Sequence, residues 1–485
     1  MEISASTGRF FVDGKWVDGS SREYYELRNP ATSDTIGRLP RASAADVQSA
    51  VEVARQAFTN SDWHEMEQTK RGKILLQLAG LVRQNFNELS RLETINQGKP
   101  IGESKADIAW TIRAFEYWGG LADKIEGETI PVTSNRLTYT LREPLGVTVH
   151  IIPWNYPIAL AARSIAPALA AGNTVVAKPA ELTPLTLLKI AEYAQKAGVP
   201  NGVLNVITGS GAVTGRALVA NPDIDAIAFT GSTETGQQIM ETASKNLTPV
   251  LLELGGKNPN IVFPDADLDK AIQMAKLAIF TNAGQMCWAG SRLFLHDEIH
   301  DKFLGELKRQ TELIKLGPGI DEKTGMGPMV SVEQQKHVIG YVKLGLEEGA
   351  RLVTGGGVPE QPELSKGCYV KPTIFSDVSP DMRIAKEEIF GPVLAVFRFK
   401  SEEEVVQMAN DTQYGLYAGI WTNTLKVVQR MVGKLQAGVV AVNDYLVAYP
   451  QTPFGGYKDS GIGYENGIQA INHYTRIKSV TVNAQ

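Results

Sequence analysis

Residues 226–240 read AIAFTGSTETGQQIM: a short apolar run, a turn of small residues, and the start of an amphipathic segment. A strand that enters a helix through Gly231-Ser232-Thr233-Glu234-Thr235-Gly236 is one unit of a parallel α/β sheet. Small residues at such a turn let backbone amides approach a phosphate, and the helix offers its positive amino end there. A pyrophosphate fits this turn, with Ser232 donating its hydroxyl. Tight strand-to-helix turns need glycine in any case, so the turn alone also fits a purely structural role.

Outward from this unit the alternation repeats. GVTVHII (146–152), GNTVVAKP (172–179) and VLNVITG (203–209) read as buried strands, and IAPALAA (165–171) and LTLLKIAEYAQKAG (185–198) as helices. After PVLLELGGKNPNIVF (249–263) a second series runs to about residue 440, and KSVTVN (478–483) is a candidate edge strand. In front of both series, residues 44–58 and 68–88 have helical apolar spacing, as at Ile74, Leu75, Leu78, Leu81 and Val82. The expectation is two α/β domains preceded by helical material. A second glycine turn, VITGSGAVTG, spaces Gly209, Gly211 and Gly215 as GxGxxxG instead of GxGxxG. Together the two turns favour a dinucleotide.

Composition narrows the classes. The chain has 485 residues, 43% hydrophobic and 21% charged, as expected of a soluble globular protein of about three domains at ~150 residues each. A net charge of −5 without a basic stripe argues against nucleic acid as a partner. Two cysteines, Cys287 and Cys368, make no disulfide framework and point to a reducing compartment. The amino terminus lacks the pattern of a secretory signal. Residues 144–162 carry no Asp, Glu, Lys or Arg, but Pro144, Pro153, Asn155 and Pro157 make them a strand, loop and helix start instead of a membrane span. A cytoplasmic protein with no membrane partner is expected.

Several residues stand where chemistry is possible. Cys287, in NAGQMCWAGSR (282–292), is by itself a small buried hydrophobe as readily as a nucleophile. Glu253 interrupts an apolar strand ahead of two glycines; desolvation there would raise its pKa and suit a general base, whereas an exposed sheet face would leave it idle. Asn155 lies between two prolines in IIPWNYP, where its amide can donate to an oxyanion or merely serve the turn. Lys178 and Glu181 leave a strand end, the place where open parallel sheets bind ligands. Glu181 there can accept both ribose hydroxyls and would repel a 2′-phosphate. The six histidines offer no metal spacing beyond His296 and His300, read as a solvated helix start, so no metal is expected.

Seven blocks in order carry a resemblance: EPLGV and PWNYP (143–157), KPAELTP (178–184), FTGSTETG (229–236), LELGGKNP (252–259), GQMC (284–287), EEIFGPV (387–393) and PFGGYKDSG (453–461). The chain resembles the aldehyde dehydrogenase superfamily, nearest to betaine-aldehyde, lactaldehyde and semialdehyde types, almost end to end. The resemblance implies a Rossmann-type cofactor domain (1–120 and 145–252), an α/β catalytic domain (253–450) and a small β oligomerisation element (121–144 and 451–485). It also implies a homo-oligomer, dimer or tetramer. By the same likeness Cys287 attacks the aldehyde, and the Asn155 amide and the Cys287 N–H hold the oxyanion. Hydride leaves for NAD, with NADP possible, and Glu253 activates the water that hydrolyses the thioester. Lys178, Glu181, Gly211, Phe229, Gly231, Ser232, Glu388, Phe390 and Trp154 are the implied cofactor contacts. One departure is Gly463-Tyr464-Glu465, where the resemblance implies Gly-Arg-Glu near subunit contacts.

The same likeness lines a substrate funnel with Tyr156, Leu160, Arg163, Met286, Trp288, Val447 and Ala448. Arg163 favours a small polar or anionic aldehyde, because a guanidinium binds carboxylates and hydroxyls, although a structural ion pair would absorb it. The alternative is a betaine-aldehyde-type or broad-specificity enzyme. Glu253 speaks against a CoA-acylating relative, and the complete catalytic set speaks against a non-catalytic structural protein. Ester hydrolysis by the same cysteine is a conceivable side activity.

Overall fold

The computed structural model describes residues 8–483. The expected alternation forms two sheets. The first has eight strands in the order Lys15–Val17, Phe10–Val12, Leu204–Val206, Thr174–Pro179, Val147–Ile152, Ala226–Thr230, Val250–Glu253 and Gly461–Ile462. Its five central strands run parallel. They are buried almost throughout because helices cover both faces, which is why they read as continuous apolar runs. The second sheet orders seven strands as Arg351–Thr354, Thr373–Ser376, Val393–Phe399, Arg292–His296, Pro259–Val262, Tyr417–Trp421 and Val439–Val442. All its pairs are parallel except the first.

Local chemistry sets the helices that matter for function. Pro157, with its φ fixed and its missing N–H harmless in the first turn, opens the helix Pro157–Ala171 directly after Asn155 and Tyr156. Ser232 caps Thr233–Ala243 by accepting from Thr235 N. The periodicity predicted over 68–88 divides at Asn85, whose side-chain amide donates to Leu81 O at 2.8 Å and closes Gln68–Gln84 before Phe86–Gln97 begins. No helix among the described residues is long and apolar enough to cross a membrane. The stretch 144–162 is a strand, a loop and a helix start.

A third sheet joins Thr475–Asn483 to Arg136–Pro144 and Thr129–Ile130, with the tail strand at its edge. Elsewhere in 451–483, short strands join other sheets. Gly461–Ile462 pairs with Leu252–Glu253 in the first sheet, and Tyr457–Lys458 pairs with Tyr414–Gly415. This segment therefore returns to the strand that ends in Glu253, an adjacency that no local pattern encodes.

Candidate active site

The carboxyl ends of the first sheet's strands and the loop before Arg292–His296 enclose a cleft of about 660 Å³. Trp154, Asn155, Gly231, Ser232, Cys287, Glu388 and Phe390 line it together. Of the other expected cofactor residues, Phe229 is buried in the strand below, and Lys178, Glu181 and Gly211 are not among the lining residues. Lys178 is buried, its ammonium donating to Pro179 O at 3.1 Å, and burial lowers it to about 8 against the opposing charge of Glu181. Glu181 accepts from Arg41 Nε at 3.1 Å.

Cys287 follows a turn in which Asn282 and Ala283 take left-handed backbone angles, φ 49° and 52°, uncommon for residues with a Cβ. Side chains missed by sequence reasoning hold that turn. Asn282 N donates to Glu103 Oε2 at 2.8 Å, and Asn282 Nδ2 donates to Asn155 O at 2.9 Å. Asn258 Nδ2 donates to Cys287 O and Ala289 O, each at 2.9 Å, while Gln285 Oε1 accepts from Val330 N. Asn258 follows directly on LELGGK, and its place in that block was the available signal. The two glycines beside it permit the approach. A Cβ on Gly256 would collide with Cys287 O, and one on Gly255 with a Glu388 oxygen.

Asn155 is buried, and its Nδ2 donates to Gln285 O at 3.0 Å, leaving its second N–H free of that bond. Glu253 ends its strand only 1% exposed, so the exposed-face alternative falls away. Among the described residues neither of its carboxylate oxygens has a hydrogen-bond partner. Desolvation holds its pKa well above the usual carboxylate range; Arg163 opposes this and Glu465 adds to it. The Cys287 residue is half-buried, but its thiol is desolvated and pushed up to about 12, with Arg163 lowering it and Glu253 and Glu388 raising it. Glu388 accepts from Gly256 N at 3.0 Å and is raised to about 7 by burial. Trp154 and Phe390 meet edge to face, centroids 5.2 Å apart.

The expected funnel residues divide. Tyr156, Leu160, Trp288, Val447 and Ala448 are half-buried, whereas Met286 is core at 2% exposure. The Tyr156 ring faces Lys99 Nζ at 3.7 Å, and Trp288 packs edge to face on Tyr417 and Phe454. Arg163, expected to meet the substrate's carboxylate or hydroxyl, is buried in an ion pair with Glu465. The reason is the returning carboxyl-terminal segment, which brings that glutamate against the helix carrying Arg163. Glu465 is the immediate neighbour of Tyr464. Tyr464 itself is exposed, its N–H donating to His473 Nε2 at 3.2 Å. His300, read as solvated, is buried at the start of its helix with Nδ1 2.9 Å from Asp301 Oδ1. No metal-holding group of His, Cys, Asp or Glu occurs among the described residues.

Comparison with known proteins shows the family. A family model described as "Aldehyde dehydrogenase family" matches residues 16–480. The chain is 46% identical over 477 residues to the betaine aldehyde dehydrogenase of Bacillus subtilis (strain 168), covering 98% of this chain and 97% of that protein. It is 42% identical over 482 residues to the hydroxyisobutyraldehyde dehydrogenase of Mycolicibacterium austroafricanum, covering 99% and 95%. The solved NAD+ complex of aldehyde dehydrogenase from Bacillus cereus superposes with a TM-score of 0.97 at 44% identity, covering 99% of this chain and 97% of that one. The chain belongs to the aldehyde dehydrogenase family and is an enzyme of that class.

Proposed function

We propose that the chain oxidises a compact polar aldehyde to its carboxylic acid with NAD(P), using Cys287 as nucleophile and Glu253 as the base for hydrolysis. The carrying observation is that Cys287 and Asn155 share one cleft with the capped helix start at Gly231-Ser232 and with Glu388. The Cys287 thiolate attacks the aldehyde carbon and forms a thiohemiacetal. The free N–H of the Asn155 amide and the Cys287 backbone N–H receive the oxyanion, a contribution of about 3–4 kcal/mol for a well-placed donor. NAD(P), when bound, would supply the acceptor for the hydride that leaves the thiohemiacetal carbon, which turns the Cys287 adduct into a thioester. Glu253 then takes a proton from the water that hydrolyses the Cys287 thioester, a task suited to a desolvated carboxylate of raised pKa.

Residues here fit the cofactor. The helix start at Ser232 offers N–H donors to a pyrophosphate. The Glu388 carboxylate suits ribose hydroxyls, and Trp154 and Phe390 offer flat apolar surface. Glu181 favours NAD, while Arg41 beside it leaves room for NADP. The first sheet is read as the cofactor domain and the second as the catalytic domain. The exposed apolar residues Leu137, Leu141, Ile477 and Val482 on the third sheet support a homo-oligomer, and the cytoplasm is the proposed compartment.

With Arg163 neutralised by Glu465, a substrate carboxylate finds no free guanidinium, and the main argument against a cationic aldehyde weakens. The half-buried indole of Trp288, directly after Cys287, favours a betaine-aldehyde-type substrate as the second reading. A panel of glycolaldehyde, lactaldehyde, succinic semialdehyde, betaine aldehyde and benzaldehyde, each with NAD, NADP or added CoA, tests the proposal. NAD reduction yielding free acid supports it. A product that forms only with CoA, or no reduction with any aldehyde, defeats it. A marked preference for betaine aldehyde selects the second reading.

A further inference from the structure

Arg163 and Glu465 are 6% and 2% exposed, and a buried ion pair seldom stabilises a fold more than apolar residues of the same volume would. Its placement is informative. Arg163 rides on the helix Pro157–Ala171, whose first turn follows Asn155. Its guanidinium lies over the Phe454 ring, 5.2 Å from the centroid, and its Nη2 is 3.4 Å from Thr230 Oγ1. Thr230 is the cross-strand partner of Glu253. Glu465 is fixed from the other side: Phe454 and Glu465 exchange two backbone hydrogen bonds of 2.7 Å, and Gly461 pairs with Glu253. The guanidinium is thus clamped beside the strand end carrying the base, on a ring that also packs against Trp288, the residue after the nucleophile.

We propose that Glu465, acting through Arg163, sets the pH at which Cys287 becomes nucleophilic. Arg163 touches Thr230, the strand partner of Glu253, and lies over Phe454, which packs on the residue after Cys287; its charge therefore acts on both Glu253 and Cys287, and Glu465 offsets it. Three acids, Cys287, Glu253 and Glu465, therefore share one guanidinium. The other groups facing this cluster are Glu388, which faces Cys287 and is itself faced by Lys257; the Tyr156 hydroxyl, which faces Cys287 and is faced by Asp107 and Glu103; and the buried Tyr474 hydroxyl, which faces Arg163 and Glu465. When Cys287 ionises, its S–H bond breaks, the electron pair stays on sulfur and the proton leaves to solvent in the cleft. Arg163 favours the thiolate, while Glu465 lessens that help and so keeps the resting cysteine protonated. Glu465 and Arg163 are positioning residues in this scheme; neither touches the substrate. The scheme rests on reading Cys287 as the nucleophile.

The test follows iodoacetamide alkylation of Cys287 against pH in a Cys368→Ala background, so that one thiol reports. Glu465→Gln frees the guanidinium and lowers the alkylation midpoint by about one pH unit, raising the rate at pH 7 about tenfold. That variant leaves a buried charge unpaired, so the double variant Arg163→Gln, Glu465→Gln provides a second arm without an orphan charge. In the double variant the thiol loses its cation and the midpoint rises. Arg163→Lys keeps the charge and restores the parental profile to within about half a unit. Superposable profiles in the parent and the double variant overturn the proposal. It is overturned equally if the double variant raises KM for succinic semialdehyde while the alkylation profile stays fixed, because Arg163 would then be a substrate contact. Failure of the nucleophile reading shows separately, as aldehyde oxidation surviving Cys287→Ala. The alkylation profile requires no turnover.

Discussion

Cys287 and Cys368 are the two thiols of the chain, and desolvation pushes both upward, to about 12 and about 11. Their surroundings otherwise have little in common. Cys368 sits in the apolar core around the second sheet, its N–H donating to Pro30 O at 2.9 Å and its carbonyl accepting from Met329 N at 2.8 Å. Glu333 is the charge facing it, and a carboxylate only raises the thiol further. Cys287 lines a cleft, follows a left-handed turn, and faces Arg163, Glu253 and Glu388. Burial alone therefore does not separate the two thiols. Access, an opposing cation and a nearby proton acceptor do.

The contrast breaks most sharply by exchanging which thiol is removed. Cys287→Ala lowers kcat for NAD-coupled aldehyde oxidation by at least about 10⁴-fold, the scale of losing a covalent nucleophile. Cys368→Ala leaves kcat within about twofold and costs about 1 kcal/mol of stability, read from a denaturant melt. Equal losses from the two variants would collapse the distinction.

Glu253→Gln probes the second difference, the proton acceptor. It lowers steady-state kcat by about 10²–10³-fold, while a stopped-flow burst of NADH near one equivalent persists, because the thioester forms and is not hydrolysed. Loss of the burst along with turnover would place Glu253 ahead of hydrolysis.

The smallest effect concerns pH. A thiol with a raised pKa is mostly protonated at neutrality, so its reactive fraction grows as pH rises toward that pKa. Alkylation of Cys287 accelerates about tenfold per unit between pH 7 and 9. Cys368, buried outside the cleft, stays unmodified over that range until the protein unfolds. Mass mapping of the labelled peptides reads both thiols in one experiment.

Much of this contrast was legible before folding. The alternation of apolar runs and amphipathic segments, Pro157 at a helix start and Ser232 at a cap all follow from interactions within a few residues. They placed the sheets and the cleft's floor. The division at Asn85 was missed, because a side-chain cap in an apolar periodic run leaves the period unbroken. Asn258 and Glu103 were missed for another reason: their partners, Cys287 and Asn282, lie on distant segments.

Arg163 marks the boundary between the two kinds of knowledge. The sequence by itself determined that a cation follows Asn155 on a helix, that Glu253 closes an apolar strand, and that Cys287 lies in a block resembling those of aldehyde dehydrogenases. Only the tertiary structure decided what the cation faces. The carboxyl-terminal segment pairs with the strand ending in Glu253 and carries Glu465 onto the guanidinium. A buried charge is governed by whichever group packing brings within a few ångströms in a desolvated interior. That neighbour is fixed by long-range strand pairing, which has no local period to read.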